Sequence, residues 1–196
     1  MLNEIKAKPT NYKNVLFRSR LEAKWAIFFD ELGIKWEYEP EYGDVEFGGF
    51  LIQYKPDFYL PDYDLWIEVK AKSLRQLSDG EIRKIVGWAK AYLEILVLSG
   101  EPRIPRENTK AHYLYTYNPK KKTVNQPQAY IWWCTCPKCK RIDYRPYGGI
   151  PCDCDKKCYI DPPVDLFGEE LPEPEGHKSP RLKKACHIAN NYKFDV

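Results

Sequence analysis

Three charged residues lie close together in one short stretch, Pro56-Asp57 followed after ten residues by Glu68-Val69-Lys70. Runs of aromatic and β-branched residues flank Leu60-Pro61-Asp62-Tyr63-Asp64, a cluster with turn chemistry, so the stretch reads as two paired strands. Side chains in a strand alternate faces. Leu65, Ile67 and Val69 therefore point toward a core, while Trp66, Glu68 and Lys70 share the opposite face. The turn is expected to set Asp57 across from Glu68. Two carboxylates converging beside a lysine repel each other unless a cation sits between them, and oxygen ligands with room for water suit Mg²⁺.

A second chemistry sits in the cysteines. Cys136-Pro137-Lys138-Cys139 is a tight knuckle able to grip one tetrahedral ion, and Cys152, Cys154 and Cys158 follow. With Cys134 these are six cysteines within 25 residues. No secretion pattern accompanies them, which points to structural Zn²⁺ rather than disulfides. Cys136 and Cys139 form one pair. Cys152 with Cys154 is taken as the other, with Cys154 and Cys158 the alternative and Cys134 left over.

Pro56-Asp57 … Glu68-Val69-Lys70 resembles the signature of the PD-(D/E)XK nuclease superfamily, across roughly residues 15–100. The resemblance implies a restriction-endonuclease-like core and a Mg²⁺- or Mn²⁺-dependent cut of DNA. It makes Asp57, Glu68 and the Val69 carbonyl the metal ligands and Lys70 the residue that orients water. Glu22 joins them as the glutamate that the family often carries on its first helix. Trp132-Trp133, the cysteines and Ser179-Pro180-Arg181-Leu182 resemble the tails of small phage and bacterial proteins joining such a core to a zinc-binding end.

The elements that must position these residues are legible as patterns. Ser19 caps a helix whose apolar stripe is Leu21, Trp25, Phe28, Phe29 and Leu32, and Gly33 ends it. Glu22 has capping-box spacing from Ser19 and also borders the buried stripe, so capping and site roles are both open. Residues 34–39 alternate as a strand, and Gly48-Gly49 marks a hairpin turn between Val45 and Ile52. Glu37, Glu39 and Glu41 read as a solvated strand face, with Glu39 a candidate to approach the cleft.

Ser78 with Glu81 caps a second helix, and Leu93 to Leu98 is an apolar strand after it. Strand–helix–strand order predicts a parallel pair. Lys84 and Lys90 fall on the polar side of that helix. His112 to Tyr117 reads as an edge strand, and Ser179-Pro180 opens a final helix with Leu182, Ala185, Cys186 and Ala189 on its apolar side.

The fold class expected is α/β, a mixed central β-sheet flanked by helices, with a small zinc-ribbon-like module and a terminal helix. The divisions are a nuclease-like core at 1–118 that opens on an irregular lead-in and a linker at 119–128. A zinc-ribbon-like module at 129–160, an acidic proline-rich connector at 161–178 and the helix at 179–196 follow. Net charge is only +3 and aromatics are 15% of residues, which excludes a histone-like tail and a disordered chain.

No apolar run is long enough to span a membrane, and Met1-Leu2-Asn3-Glu4 opens no signal-peptide pattern. A soluble protein in the cytoplasm of a prokaryotic or phage-infected cell is expected, with DNA as partner. Lys72, Lys138, Lys140 and Arg141 are candidate phosphate contacts, with Arg145 and Arg181 beside them. One cleft cuts one strand, so a double-strand break calls for a homodimer, another protein partner or a second event. Rival functions are a transposon end-cleaving subunit, a junction-specific nuclease, and a non-catalytic zinc-ribbon nucleic-acid-binding protein.

Overall fold

The computed structural model describes residues 7–40, 43–105, 112–125, 127–146, 151–159 and 176–194, with backbone alone at 47, 128–130, 151 and 155–159. The described chain starts with a hairpin, β1 (Thr10–Tyr12) and β2 (Val15–Phe17), where an irregular lead-in was expected. Its turn residues Lys13 and Asn14 hold φ at 49° and 63°. That is the mirror-image turn whose twist matches paired strands, and lysine rarely signals it. Packing of Phe17 on Tyr38 and Phe58 holds the hairpin down.

Helix α1 (Arg20–Leu32) runs between the expected caps. The Ser19 hydroxyl accepts the Glu22 N–H, and Gly33 closes the last turn at φ 71°. Of the strand expected at 34–39 only β3 (Glu37–Tyr38) forms, because Glu39 turns the chain at φ 46°. Strands β4 (Gly43–Phe47) and β5 (Phe50–Tyr54) pair around Gly48-Gly49, both at positive φ as this tight turn requires.

Strands β6 (Phe58–Leu60) and β7 (Leu65–Lys70) are antiparallel. Helix α2 (Asp79–Tyr92) follows with the Ser78–Glu81 capping box complete. It lies so close to β4 that a Cβ on Gly87 would meet Val45 at 2.9 Å. Strand β8 (Glu94–Ser99) then pairs with β7 in parallel, as the element order predicted. Leu93, expected as the first strand residue, instead links helix to strand at φ 73°.

The remaining strands correct two expectations. β9 (His112–Asn118) is an interior strand and not an edge, because it pairs with β8 on one side and with β11 (Gln128–Thr135) on the other. The stretch expected as a linker carries β10 (Thr123–Val124), which folds back onto the end of β9. Strand β12 (Ile142–Pro146) pairs with β11, giving the mixed order β12-β11-β9-β8-β7-β6-β3. The cysteine-bearing hairpin is therefore a continuation of the main sheet. Its companion is a small hairpin, β13 (Pro151–Cys152) with β14 (Asp155–Tyr159). Most of the acidic connector, 161–175, lies outside the described residues, as does Glu41. Gly176 bridges to Thr135.

Two apolar layers sandwich the sheet. On one face Leu65, Ile67 and Val69 meet Trp25, Phe28 and Phe29 of α1, together with Leu182, Ala185 and Ala189 of α3 (Pro180–Asn191). On the other face Trp66, Ile95 and Val97 meet Ile85, Trp88 and Ala89 of α2. The protein is thus α/β with a curled mixed sheet and three α-helices among the described residues. Among those residues no helix is long and apolar enough to cross a membrane.

His112 marks the middle of this sandwich. Its ring lies between Trp25 and Trp132, and its Nδ1 accepts the Ser99 N–H at 3.0 Å. Burial, with nearby Arg103, pushes its pKa down to about 3. The imidazole is neutral in the fold, whereas the unfolded chain binds a proton below about pH 6.5. Stability from this group is present above that pH and is lost as pH falls toward 3. By pH 5 the loss amounts to about 2 kcal/mol. Denaturant unfolding at pH 7 and pH 5 is expected to show a smaller acid-induced loss for His112→Gln than for the parent; parallel losses would contradict the assignment.

Candidate functional site

The register Phe58↔Ile67 and Tyr59↔Trp66, carried one residue further, sets Asp57 opposite Glu68. Both carboxylates fall on the α2 face of the sheet, just beyond the last paired residues. They share a cleft of about 470 Å³ with Glu22, Val69, Lys70 and Arg18. The three acidic residues are almost fully buried, Asp57 at 3%, Glu68 at 5% and Glu22 at 7% exposure. Charged groups in that position need hydrogen bonds or counter-ions.

Each carboxylate meets this need differently. Asp57 Oδ2 accepts the Val69 N–H at 2.7 Å, and Oδ1 accepts from Arg18 Nη2 at 2.7 Å. Glu22 accepts from the Ser19 hydroxyl and from the Tyr38 hydroxyl, both at 2.6 Å. It therefore bonds to the side chain of the N-cap residue, without closing a capping box, and faces the cleft at once. Glu68 Oε1 pairs with Lys70 Nζ at 2.8 Å, while Oε2 is buried with no hydrogen-bond partner. Lys70 also lies 3.3 Å from Glu81 of the α2 capping box.

The electrostatics follow from this crowding. Burial, then the charges of Glu68 and Glu22, raise the Asp57 pKa well above the usual carboxylate range, against the pull of the Val69 N–H and Arg18. For Lys70 burial disfavours the ammonium, but Glu68, Glu81 and Asp57 outweigh it and hold the pKa above the ordinary lysine value. Lys70 is a permanent cation near neutrality. Buried Tyr54, beside Glu68, is likewise held protonated by burial and by that carboxylate.

The fold thus brings Glu22, Asp57, Glu68, Val69 and Lys70 into one cleft. Lys84 reaches its rim, whereas Lys90 pairs with Glu46 and Lys72 is exposed outside the lining. Glu39 approaches the cleft through Arg18 at 2.5 Å and Lys55 at 3.4 Å instead of facing solvent. Sequence reasoning missed Arg18, Tyr38 and Tyr54. The available signal was adjacency: Arg18 immediately precedes the cap of the helix that carries Glu22. The buried Glu68 oxygen and its acidic neighbours Asp57 and Glu22 bring carboxylate oxygens together in one cleft.

The cysteine cluster is built from two hairpin tips. The knuckle sits at the β11–β12 turn, closed by Cys136 N–H to Arg141 C=O at 2.9 Å and by Lys140 at φ 61°. The β13–β14 turn supplies Cys152 and Cys154. These four thiols have ligand atoms all within 4.8 Å of one another and could hold a metal such as zinc. Cys136 and Cys154 sulfurs are 3.6 Å apart and those of Cys139 and Cys152 are 3.8 Å apart. A tetrahedron with metal–sulfur bonds of about 2.3 Å has edges of about 3.8 Å.

Although burial opposes it, the N–H groups of Cys139 and Lys138 lower the Cys136 thiol to about 6. Cys134 stands apart, donating to the Asp143 carbonyl, and the Cys158 side chain lies outside the described residues.

Three arginines considered as phosphate contacts are occupied elsewhere. Arg141 and Arg145 both pair with Asp143 and Asp153, tying β12 to the turn that holds Cys152 and Cys154. Arg181 donates to the Leu32 carbonyl at 2.6 Å, capping the C-terminus of α1. Lys138 and Lys140 remain exposed at the knuckle. No family model, curated protein or solved structure matches this chain.

The cluster makes a discriminating prediction. Elemental analysis of purified protein is expected to find a single zinc in the parent and in Cys134→Ser, and loss of it in Cys136→Ser and Cys152→Ser. Zinc lost from Cys134→Ser but kept in Cys152→Ser would overturn the ligand set.

Proposed function

We propose that this protein is a divalent-cation-dependent DNA endonuclease of the PD-(D/E)XK type, whose cysteine module binds structural zinc and helps hold nucleic acid. The observation that carries this reading is the meeting of Asp57, Glu68, Lys70 and Glu22 in one cleft with a buried, unpartnered Glu68 oxygen. Burying several carboxylates side by side is unfavourable unless a cation is meant to join them. A purely structural cleft gains nothing from such crowding.

Asp57, Glu68 and the Val69 carbonyl would hold Mg²⁺ or Mn²⁺, with Glu22 beside them. When bound, such an ion would supply Lewis acidity toward the phosphate and would make water easier to deprotonate. The chain's own residues do the rest. Lys70, kept protonated by Glu68 and Glu81, would place a point charge in the cleft able to orient a water and to offset negative charge developing on a phosphate. The Val69 N–H fixes the Asp57 carboxylate, and Tyr38 with Ser19 fixes that of Glu22. Such preorganisation removes the cost of turning dipoles during the reaction. Lys84 and Arg18 at the rim can meet the phosphate backbone.

Supercoiled plasmid with Mg²⁺ or Mn²⁺ provides the test. Metal-dependent nicking, reversed by EDTA, is expected in the parent. Asp57→Asn or Lys70→Ala should lower the rate by about 100-fold or more with zinc content unchanged. Full activity in either variant would refute the site. Binding of duplex, branched and single-stranded DNA without cleavage would favour a non-catalytic zinc-module protein instead.

A further inference from the structure

Building on the metal-dependent reading above, we propose that Arg18 is a resident counter-cation for Asp57 that a divalent cation must displace. The guanidinium would then set the cation concentration at which the cleft fills. Arg18 Nη2 lies 2.7 Å from Asp57 Oδ1, and its Nε lies 2.5 Å from Glu39 Oε1. The pair is asymmetric: the Asp57 side chain is 4% exposed and that of Arg18 58%. The carboxylate cannot leave, whereas the guanidinium can.

The second Asp57 oxygen is taken by the Val69 N–H, so Arg18 covers the oxygen left for an incoming ion. Release need not disturb the backbone. The Arg18 N–H donates to the Tyr38 hydroxyl at 2.9 Å, and that hydroxyl donates to Glu22. Glu39 provides the displaced side chain with a second anchor. It is held in place by its own N–H, which donates to the Asp57 carbonyl at 2.9 Å. A forked guanidinium can keep one partner while surrendering the other. A divalent ion entering beside this fixed positive charge meets repulsion until Arg18 swings aside.

Mn²⁺ binding to the zinc-loaded full chain, read as loss of the free-ion electron paramagnetic resonance signal, tests this without relying on catalysis. Arg18→Gln is expected to bind Mn²⁺ about fivefold more tightly than the parent, the scale of a partly exposed ion pair. Arg18→Lys, which restores the charge, should fall between them, and Asp57→Asn should lose the binding. Unchanged or weaker binding in Arg18→Gln overturns the role of Arg18 while leaving the metal site standing. Absence of Mn²⁺ binding in the parent, or equal binding in Asp57→Asn, overturns both. Circular dichroism and zinc content verify each fold, and Arg18→Met substitutes if Arg18→Gln does not fold.

Discussion

Negative charge concentrated at the open end of β6 and β7 is the constraint around which the molecule is arranged. Asp57 and Glu68 are buried side by side with Glu22 close at hand, in surroundings where each would repel the next. The surrounding elements each supply something against that repulsion. Strand β7 contributes a backbone N–H and Lys70, α2 contributes Glu81 to hold Lys70, and the segment after β2 contributes Arg18. One acceptor, Glu68 Oε2, is still left without a partner. Buried polar groups are seldom left so, and here the unpartnered oxygen lies among other buried carboxylates.

Holding such a cleft demands a stiff support. Strand β7 lies between two apolar layers, its odd residues against α1 and α3 and Trp66 against α2. The same alternation that buries Leu65, Ile67 and Val69 presents Glu68 and Lys70 to the other side. A one-residue slip would exchange the two sets and cost both core and site. Trp66 further wedges between Tyr59 and Trp88, with ring centroids at 4.7 and 4.9 Å, which ties β7 to β6 and α2 beside the cleft.

The cysteine-bearing end is held by the same sheet. Trp133 packs against Phe28 and Phe29 of α1, Tyr63 donates to the Ile142 carbonyl, and Tyr144 donates to Glu94. Helix α3 closes over the same core and caps α1 through Arg181. Strands β11 and β12 thus extend the sheet that carries the cleft and end in the cysteine knuckle. A positive charge borne on that knuckle, as by Lys138 and Lys140, is carried on a frame continuous with the cleft.

What could be read from the sequence was whatever depends on near neighbours. The caps at Ser19 and Ser78, the Gly48-Gly49 turn, the parity that separates Ile67 from Glu68, and the Cys136–Cys139 knuckle are local, because a helix cap, a pleat or a tight turn is decided within a few residues. The Lys13-Asn14 turn, the interior place of β9 and the fold-back of β10 were not legible, because strand pairing depends on partners far along the chain. So it was with the partners of Arg18 and Tyr38: Arg18 meets Asp57, 39 residues away, and Tyr38 meets Glu22, 16 residues away. Residue order alone settles which side chains share a strand face and which thiols share a knuckle. Which cation stands against which buried carboxylate is settled by folding, since unlike charges are matched through space and the chain records no sign of that distance.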